Sequence, residues 1–142
     1  MSREESIRVV LLEPHQMART VEVKNTLEDL QELVGGNIEP FYPFEEEVCI
    51  ICNEEGKING MKPNRAIYDD DHNMVEVVFG PCFICDCKGE DFASLSEDQV
   101  EKYTEMFRRP EYIFKSGGEI QVVPYTPREA SIKDFVGRND NA

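Results

Sequence analysis

An α+β fold with a mixed or antiparallel sheet, one helix across a face and a second helix toward the carboxy-terminal end is predicted by three observations. Ile7 to Leu12, Val48 to Cys52, Met74 to Phe79 and Cys82 to Cys87 are short apolar runs rich in β-branched residues, the composition of buried strands. Two other stretches, beginning after Thr26 and after Ser96, carry their apolar residues at helical spacing and open on helix-capping side chains. Strands and helices do not alternate regularly, which argues against a parallel doubly wound sheet. A chain of 142 residues is long enough to bury one core.

The opening run IRVVLL and the alternating TVEVK at Thr20 to Lys24 read as a hairpin turned at Glu13-Pro14-His15-Gln16. Thr26 with Asp29 caps a helix whose stripe is Leu27, Leu30, Leu33 and Val34, and Gly35-Gly36 supplies the left-handed stop. Hairpin, helix and following strand together resemble the opening of a ubiquitin-type β-grasp. Two prolines interrupt Ile38 to Phe44, so an irregular or edge strand is expected there. Val48 to Cys52 is followed by a short hairpin loop, Asn53 to Lys57, with Ile58 and Asn59 on the return. Met61 to Ile67 is too broken for a long element, Asp69 to Asn73 is a polar loop, and Gly80-Pro81 turns between the last two apolar runs. Ser96 and Gln99 form a capping box for the second helix, with Leu95 and Val100 placed as a hydrophobic staple. Val100, Tyr103, Met106 and Phe107 are its stripe, Arg108-Arg109 suits its negative end, and Pro110 stops it. Residues 1–114 then make the α+β domain. Residues 115–142 make a strand-helix appendage, with Lys115-Ser116-Gly117-Gly118 as hinge, Glu119 to Tyr125 as strand, and a helix from Pro127 toward Val136.

The formal charge is −14, with 29 acidic against 15 basic side chains. Nucleic-acid binding draws its affinity from clustered Lys and Arg, so direct binding of DNA or RNA is not expected. The same charge admits a surface that imitates DNA, or simply a well-solvated one. No apolar run approaches the ~20 residues of a bilayer span and Glu4-Glu5 stands where a signal peptide is basic, so a cytoplasmic protein without membrane attachment is expected. The odd number of cysteines, five, inside apolar runs fits a reducing compartment.

Cys49-x-x-Cys52 with Cys82-x-x-Cys85 has the outward form of a four-thiolate zinc site. Ile50-Ile51 and Phe83-Ile84 are strong strand formers, however, and a strand sends residues three apart to opposite faces. Free thiols filling core positions is therefore the preferred reading, and no cofactor is expected. His72 beside Asp69, Asp70 and Asp71 reads as a solvated turn, because hard-metal loops space their ligands at alternate positions. Neither His15 nor His72 stands in a base-nucleophile setting, so no catalytic residue is assigned. Asn64 and Arg65 are the candidate binding residues: an amide and a planar guanidinium in a proline-set turn suit bidentate recognition of a carboxylate or phosphate.

The segments IRVVLLEPH, TLEDLQELVGGNIEPFYPF, CNEEGKINGMKPNRAI and FASLSEDQVEKYTEMFRRPE, spanning Ile7 to Glu111, resemble an uncharacterised family of phages and conjugative elements of gut Firmicutes, domain of unknown function 3846. The resemblance implies an intracellular protein of mobile-element context and draws attention to Asn64 and Arg65. The five cysteines depart from the family pattern, which has aliphatic or aromatic residues there. Together these readings favour a non-enzymatic module that binds an unidentified protein partner, in its sharper form an acidic DNA mimic; the alternative is a small structural-zinc or enzymatic protein using Cys49, Cys52, Cys82 and Cys85.

Overall fold

The first strand, β1 (Ser6–Leu12), is buried on both sides, and its alternation sends Ile7, Val9 and Leu11 to one face and Val10 and Leu12 to the other. In the computed structural model, which describes residues 4–127, this strand lies in a five-stranded sheet. Its partners are β2 (Arg19–Lys24), β3 (Ile38–Phe41), β4 (Val48–Asn53) and a strand from Cys82 to Asp86. Two further strands precede that last one, so the order along the chain makes Pro63–Tyr68 β5, Met74–Phe79 β6 and Cys82–Asp86 β7. The sheet runs β2-β1-β7-β4-β3 and every pairing in it is antiparallel. The expected edge strand with its proline is β3, where Pro40 sits at the sheet margin.

Each face is sealed by a different cover. Helix α1 (Leu27–Val34) lays Leu30 and Val34 on Ile7, Val9, Leu11, Ile51 and Phe83. Its ends are those expected: the Thr26 hydroxyl accepts from the Asp29 N–H, and Gly35 closes it at φ 83°. Helix α2 (Glu97–Met106) lays Tyr103, with the following Phe107, on Val10, Leu12, Val48, Ile50 and Ile84 of the opposite face. Both halves of its capping box form. The β5–β6 hairpin shares that second face through Ile67 and Val78.

Three expectations change. Met61 to Ile67, expected to be too broken for a long element, enters a six-residue strand at Pro63: β5 pairs with β6 across two register shifts, and Asn64 and Arg65 are held by distant carbonyls. Ile58 and Asn59 do not return as a strand but lie in consecutive turns, with Ile58 exposed. In place of a hinge at Lys115 to Gly118, Lys115 and Ser116 end a strand and Gly117-Gly118 is a hairpin turn. β8 (Glu111–Ser116) pairs in full register with β9 (Glu119–Pro124), and Gly117 and Gly118 take φ 62° and 84° at the tip. The boundary placed between residues 114 and 115 therefore falls inside β8. The helix expected from Pro127 to Val136 lies outside the described residues apart from its first position. No helix among the described residues is long and apolar enough to cross a membrane.

Candidate functional site: a buried polar pin and the apolar groove beside it

Asn64 and Arg65 are both 0% exposed, and every hydrogen bond they make is to the protein itself. The Asn64 amide donates to the carbonyls of Leu12 and Gly80, each at 2.9 Å, and its Oδ1 accepts from Arg65 Nη1 at 2.8 Å. Arg65 Nη2 donates to Gln16 O at 2.8 Å and Phe107 O at 3.0 Å, and Nε to Phe107 O at 3.2 Å. The donors of these two candidate binding residues are thus engaged with backbone carbonyls and with the Asn64 side-chain oxygen. Phe107 is the C-cap of α2, so the guanidinium sits at the negative end of that helix, where a cation is favoured. Arg108 and Arg109, expected in that place, are exposed.

Burial lowers the pKa of Arg65, with Glu111 acting in the opposite direction. Burial likewise raises that of Glu111, whose Oε1 accepts the Ala66 N–H at 2.8 Å. Through this bond the first residue of β8 is tied to β5. A second tie is His15, the residue without an assigned partner in the sequence: at φ 68° it brings Nδ1 within 2.7 Å of the Tyr125 hydroxyl, while Tyr125 stacks on Tyr112 at 4.1 Å. No local sequence signal marks this contact, since His15 and Tyr125 are 110 positions apart.

Held this way, the β5–β6 and β8–β9 hairpins leave a groove of about 450 Å³ between them. Its walls are Met74, Val75, Val77 and Phe79 of β6 and Ile113, Phe114 and Ile120 of the second hairpin. Val75, Phe114 and Ile120 are 48%, 50% and 44% exposed, in contrast to the sheet, whose apolar side chains are buried or half-buried. Charge is sparse along it: Lys57 pairs with Glu76 at 3.1 Å, and Lys115 stands at the rim. Sequence reasoning missed the groove because it recognised neither hairpin: Met61 to Ile67 read as too broken for a long element, and Lys115 to Gly118 as a hinge.

The cysteines separate as the strand argument requires. Cys49 faces Cys85 across β4 and β7 on the α1 side, with the sulfurs 3.7 Å apart and Cys87 nearby, whereas Cys52 pairs in register with Cys82 on the other side. The four thiols thus lie on two faces of the sheet and do not share one tetrahedral centre. Among the described residues, no three His, Cys, Asp or Glu side chains are grouped as metal ligands. Hydrogen bonding to Cys85 and burial push the Cys49 thiol up, burial does the same for Cys82, and burial first of all raises Cys52 and Cys87 to about 11. Burial thus favours the protonated thiols, which are poor nucleophiles. In the acidic loop Asp69 Oδ1 accepts from the N–H groups of Asp71 and Asn73, and Asp70 Oδ2 from that of Glu45, so these carboxylates serve the backbone.

A family model described as Domain of unknown function (DUF3846) matches residues 7–108. It covers the sheet, both helices and the β5–β6 wall of the groove, while the β8–β9 wall lies beyond the matched span. No curated protein and no solved structure matches the chain.

Proposed function

The chain belongs to the family of domain of unknown function 3846, and from that premise we propose that it is a non-enzymatic accessory module of a phage or mobile element. On this reading it works inside the bacterial cell and docks an apolar segment of a basic protein in the groove between its two hairpins. The observation that carries this reading is the groove itself, a cleft walled by seven apolar side chains, three of them nearly half exposed, on a protein whose sheet is sealed on both faces. Contiguous exposed apolar surface of this kind marks interaction sites in soluble proteins. The formal charge of −14 selects a basic partner and speeds its approach. Protonated thiols and a histidine engaged with Tyr125 supply no activated nucleophile, which supports the non-enzymatic reading.

The sharper form, imitation of DNA, needs carboxylates along one side. Glu28 and Glu32 of α1 and Glu97, Asp98, Glu101 and Glu105 of α2 are carried on helices that cover opposite faces of the sheet. The groove reading therefore does not depend on mimicry.

The test is affinity capture from bacterial host lysate at low and high salt with the wild-type chain and with Val75→Asp, both checked for identical circular dichroism. A partner retained by the wild type at high salt and lost by Val75→Asp is the expected result. Equal capture by the two proteins would remove the groove from the interaction.

A further inference from the structure

Three of the five cysteines gather on the α1 side of the sheet, and the docking role proposed for the groove uses none of them. We propose that Cys49, Cys85 and Cys87 form an oxidation-sensitive cluster, in which a hydroperoxide converts Cys49 and Cys85 to a cross-strand disulfide and Cys87 is the point of entry. The first support is register. Cys49 lies directly opposite Cys85, with the sulfurs 3.7 Å apart. The Cys87 N–H donates to Glu47 O at 3.0 Å, so the alternation of the antiparallel ladder makes Cys49 and Cys85, two positions further in, a hydrogen-bonded pair. Such pairs hold their Cα atoms about 5.5 Å apart, within the commonest range for a disulfide, so the bond can close without moving either strand. The second support is environment. Ile7, Leu30, Val34 and Phe83 surround the pair, and a disulfide is an uncharged product that suits an apolar setting. The other cross-strand pair lacks these features. Cys52 and Cys82 stand at the opposite phase of the ladder, where Cα atoms are about 4.5 Å apart. Their sulfurs have other partners: Cys52 Sγ donates to Glu39 O at 3.5 Å, and Cys82 Sγ accepts from Asn64 Nδ2 at 3.8 Å.

Access comes through Cys87. Cys49 and Cys85 are 0% exposed, whereas Cys87, just past the end of β7, is half-buried and within hydrogen-bonding reach of the Cys49 thiol. The Cys87 thiolate attacks an oxygen of the hydroperoxide: an S–O bond forms, the O–O bond breaks, and the departing oxygen takes a proton, leaving a sulfenic acid. Cys49 sulfur then attacks Cys87 sulfur, the S–O bond breaks, and the hydroxyl leaves with the Cys49 proton as water. Cys85 sulfur next attacks Cys49 sulfur, which moves the disulfide to the pair in register and returns Cys87 as a thiol carrying the Cys85 proton. In sum two thiols are oxidised to one disulfide, and the hydroperoxide is reduced to water and an alcohol, or to two waters. Burial pushes the Cys87 thiol up to about 11, so the first step is slow at neutral pH and accelerates as pH rises. The product ties β4 to β7 beneath α1, and a dithiol reverses it.

The experiment treats the full reduced chain with hydrogen peroxide, alkylates the remaining thiols after denaturation, and maps the bridged peptides by mass spectrometry. The expected result is one intramolecular bridge between Cys49 and Cys85, with Cys52 and Cys82 alkylated, formed severalfold faster as pH is raised between about 7 and 9 and removed by dithiothreitol. The oxidised chain should also unfold at a higher urea concentration than the reduced one, because the bridge constrains the unfolded state. Cys87→Ser, checked for unchanged circular dichroism, should form the same bridge severalfold more slowly. A bridge between other cysteines or between chains, or Cys87 driven to the sulfinic acid while Cys49 and Cys85 stay free, overturns the proposal. So does an unchanged rate in Cys87→Ser. The mapping of the wild-type chain decides the pairing whether or not that variant folds.

Discussion

The five-stranded sheet and the β8–β9 hairpin beside it use the same kind of sequence and reach opposite states. IRVVLL in β1 and EIQVVP in β9 are both short, β-branched and apolar, yet Val9, Val10 and Leu12 are 0% exposed while Ile120 and Val123 are 44% and 47% exposed. The difference lies in what covers them. β1 has a strand on either side and a cover on each face, whereas β9 has only β8 beside it and, among the described residues, pairs nowhere else. A two-stranded ribbon alone is marginal in water, so the position of β8–β9 depends on its anchors: the Glu111 bond to β5 and the His15 contact with Tyr125. Burial energy holds the sheet and the inner side of β5–β6, and a few polar ties hold β8–β9.

This contrast can be broken most sharply at Arg65. Replacing it by leucine leaves the carbonyls of Phe107 and Gln16 and the Asn64 Oδ1 without their donor. Each buried acceptor left unpaired costs ~1–3 kcal/mol, so a total loss of at least ~3 kcal/mol is expected from urea unfolding midpoints. Next comes Gly56→Ala, where an added Cβ would stand 2.3 Å from the Phe79 carbonyl oxygen. Because the clash is with backbone, the turn must move, and ~1–3 kcal/mol of destabilisation is expected by the same measurement.

A smaller effect belongs to the sheet's cover. The Tyr103 hydroxyl, then the Gln99 amide, with Lys102 adding, hold the Glu46 carboxyl down to about 2 against the opposing effect of burial. Its folded pKa lies below its ordinary 4.5, so this contribution is present above pH 4.5 and is lost as pH falls toward 2. Tyr103→Phe should cost ~0.5–1.5 kcal/mol at neutral pH and flatten the acid side of the stability profile, followed by urea titrations between about pH 2 and 5. An unchanged slope would show that Gln99 and Lys102 suffice. At the bottom of the scale, Val75→Ala in the groove should stay within ~0.5 kcal/mol of wild type, since its side chain is already half in water. A loss near ~2 kcal/mol there would mean the groove is as tightly packed as the sheet.

What the sequence disclosed was local. The caps at Thr26 with Gly35 and at Ser96 with Gln99 depend on residues three to nine positions apart, and the alternation that splits Cys49 from Cys52 is a property of a single strand. What it concealed was nonlocal. β5 looked broken because Asn64 and Arg65 are satisfied by Leu12, Gln16 and Phe107, 42 to 52 positions away, and nothing in NRAIY announces those partners. The same blindness hid that this donor set bonds distant parts of the backbone. Gly117-Gly118 shows the limit of composition: glycine pairs suit a hinge and a hairpin turn alike, and only the pairing of β8 with β9 decides.

Arg65 has one more consequence, for how the molecule comes apart. The loop after β1, the start of β5 and the end of α2 all place a carbonyl or an amide on its guanidinium, so none of the three can open by itself without stranding the other two. They form a single cooperative unit, and amide hydrogen exchange at Ala18 and Phe107 should follow one common opening free energy, while the amides of β8–β9 exchange earlier. One side chain thereby sets the boundary between the part of this protein that opens only globally and the part that is free to breathe.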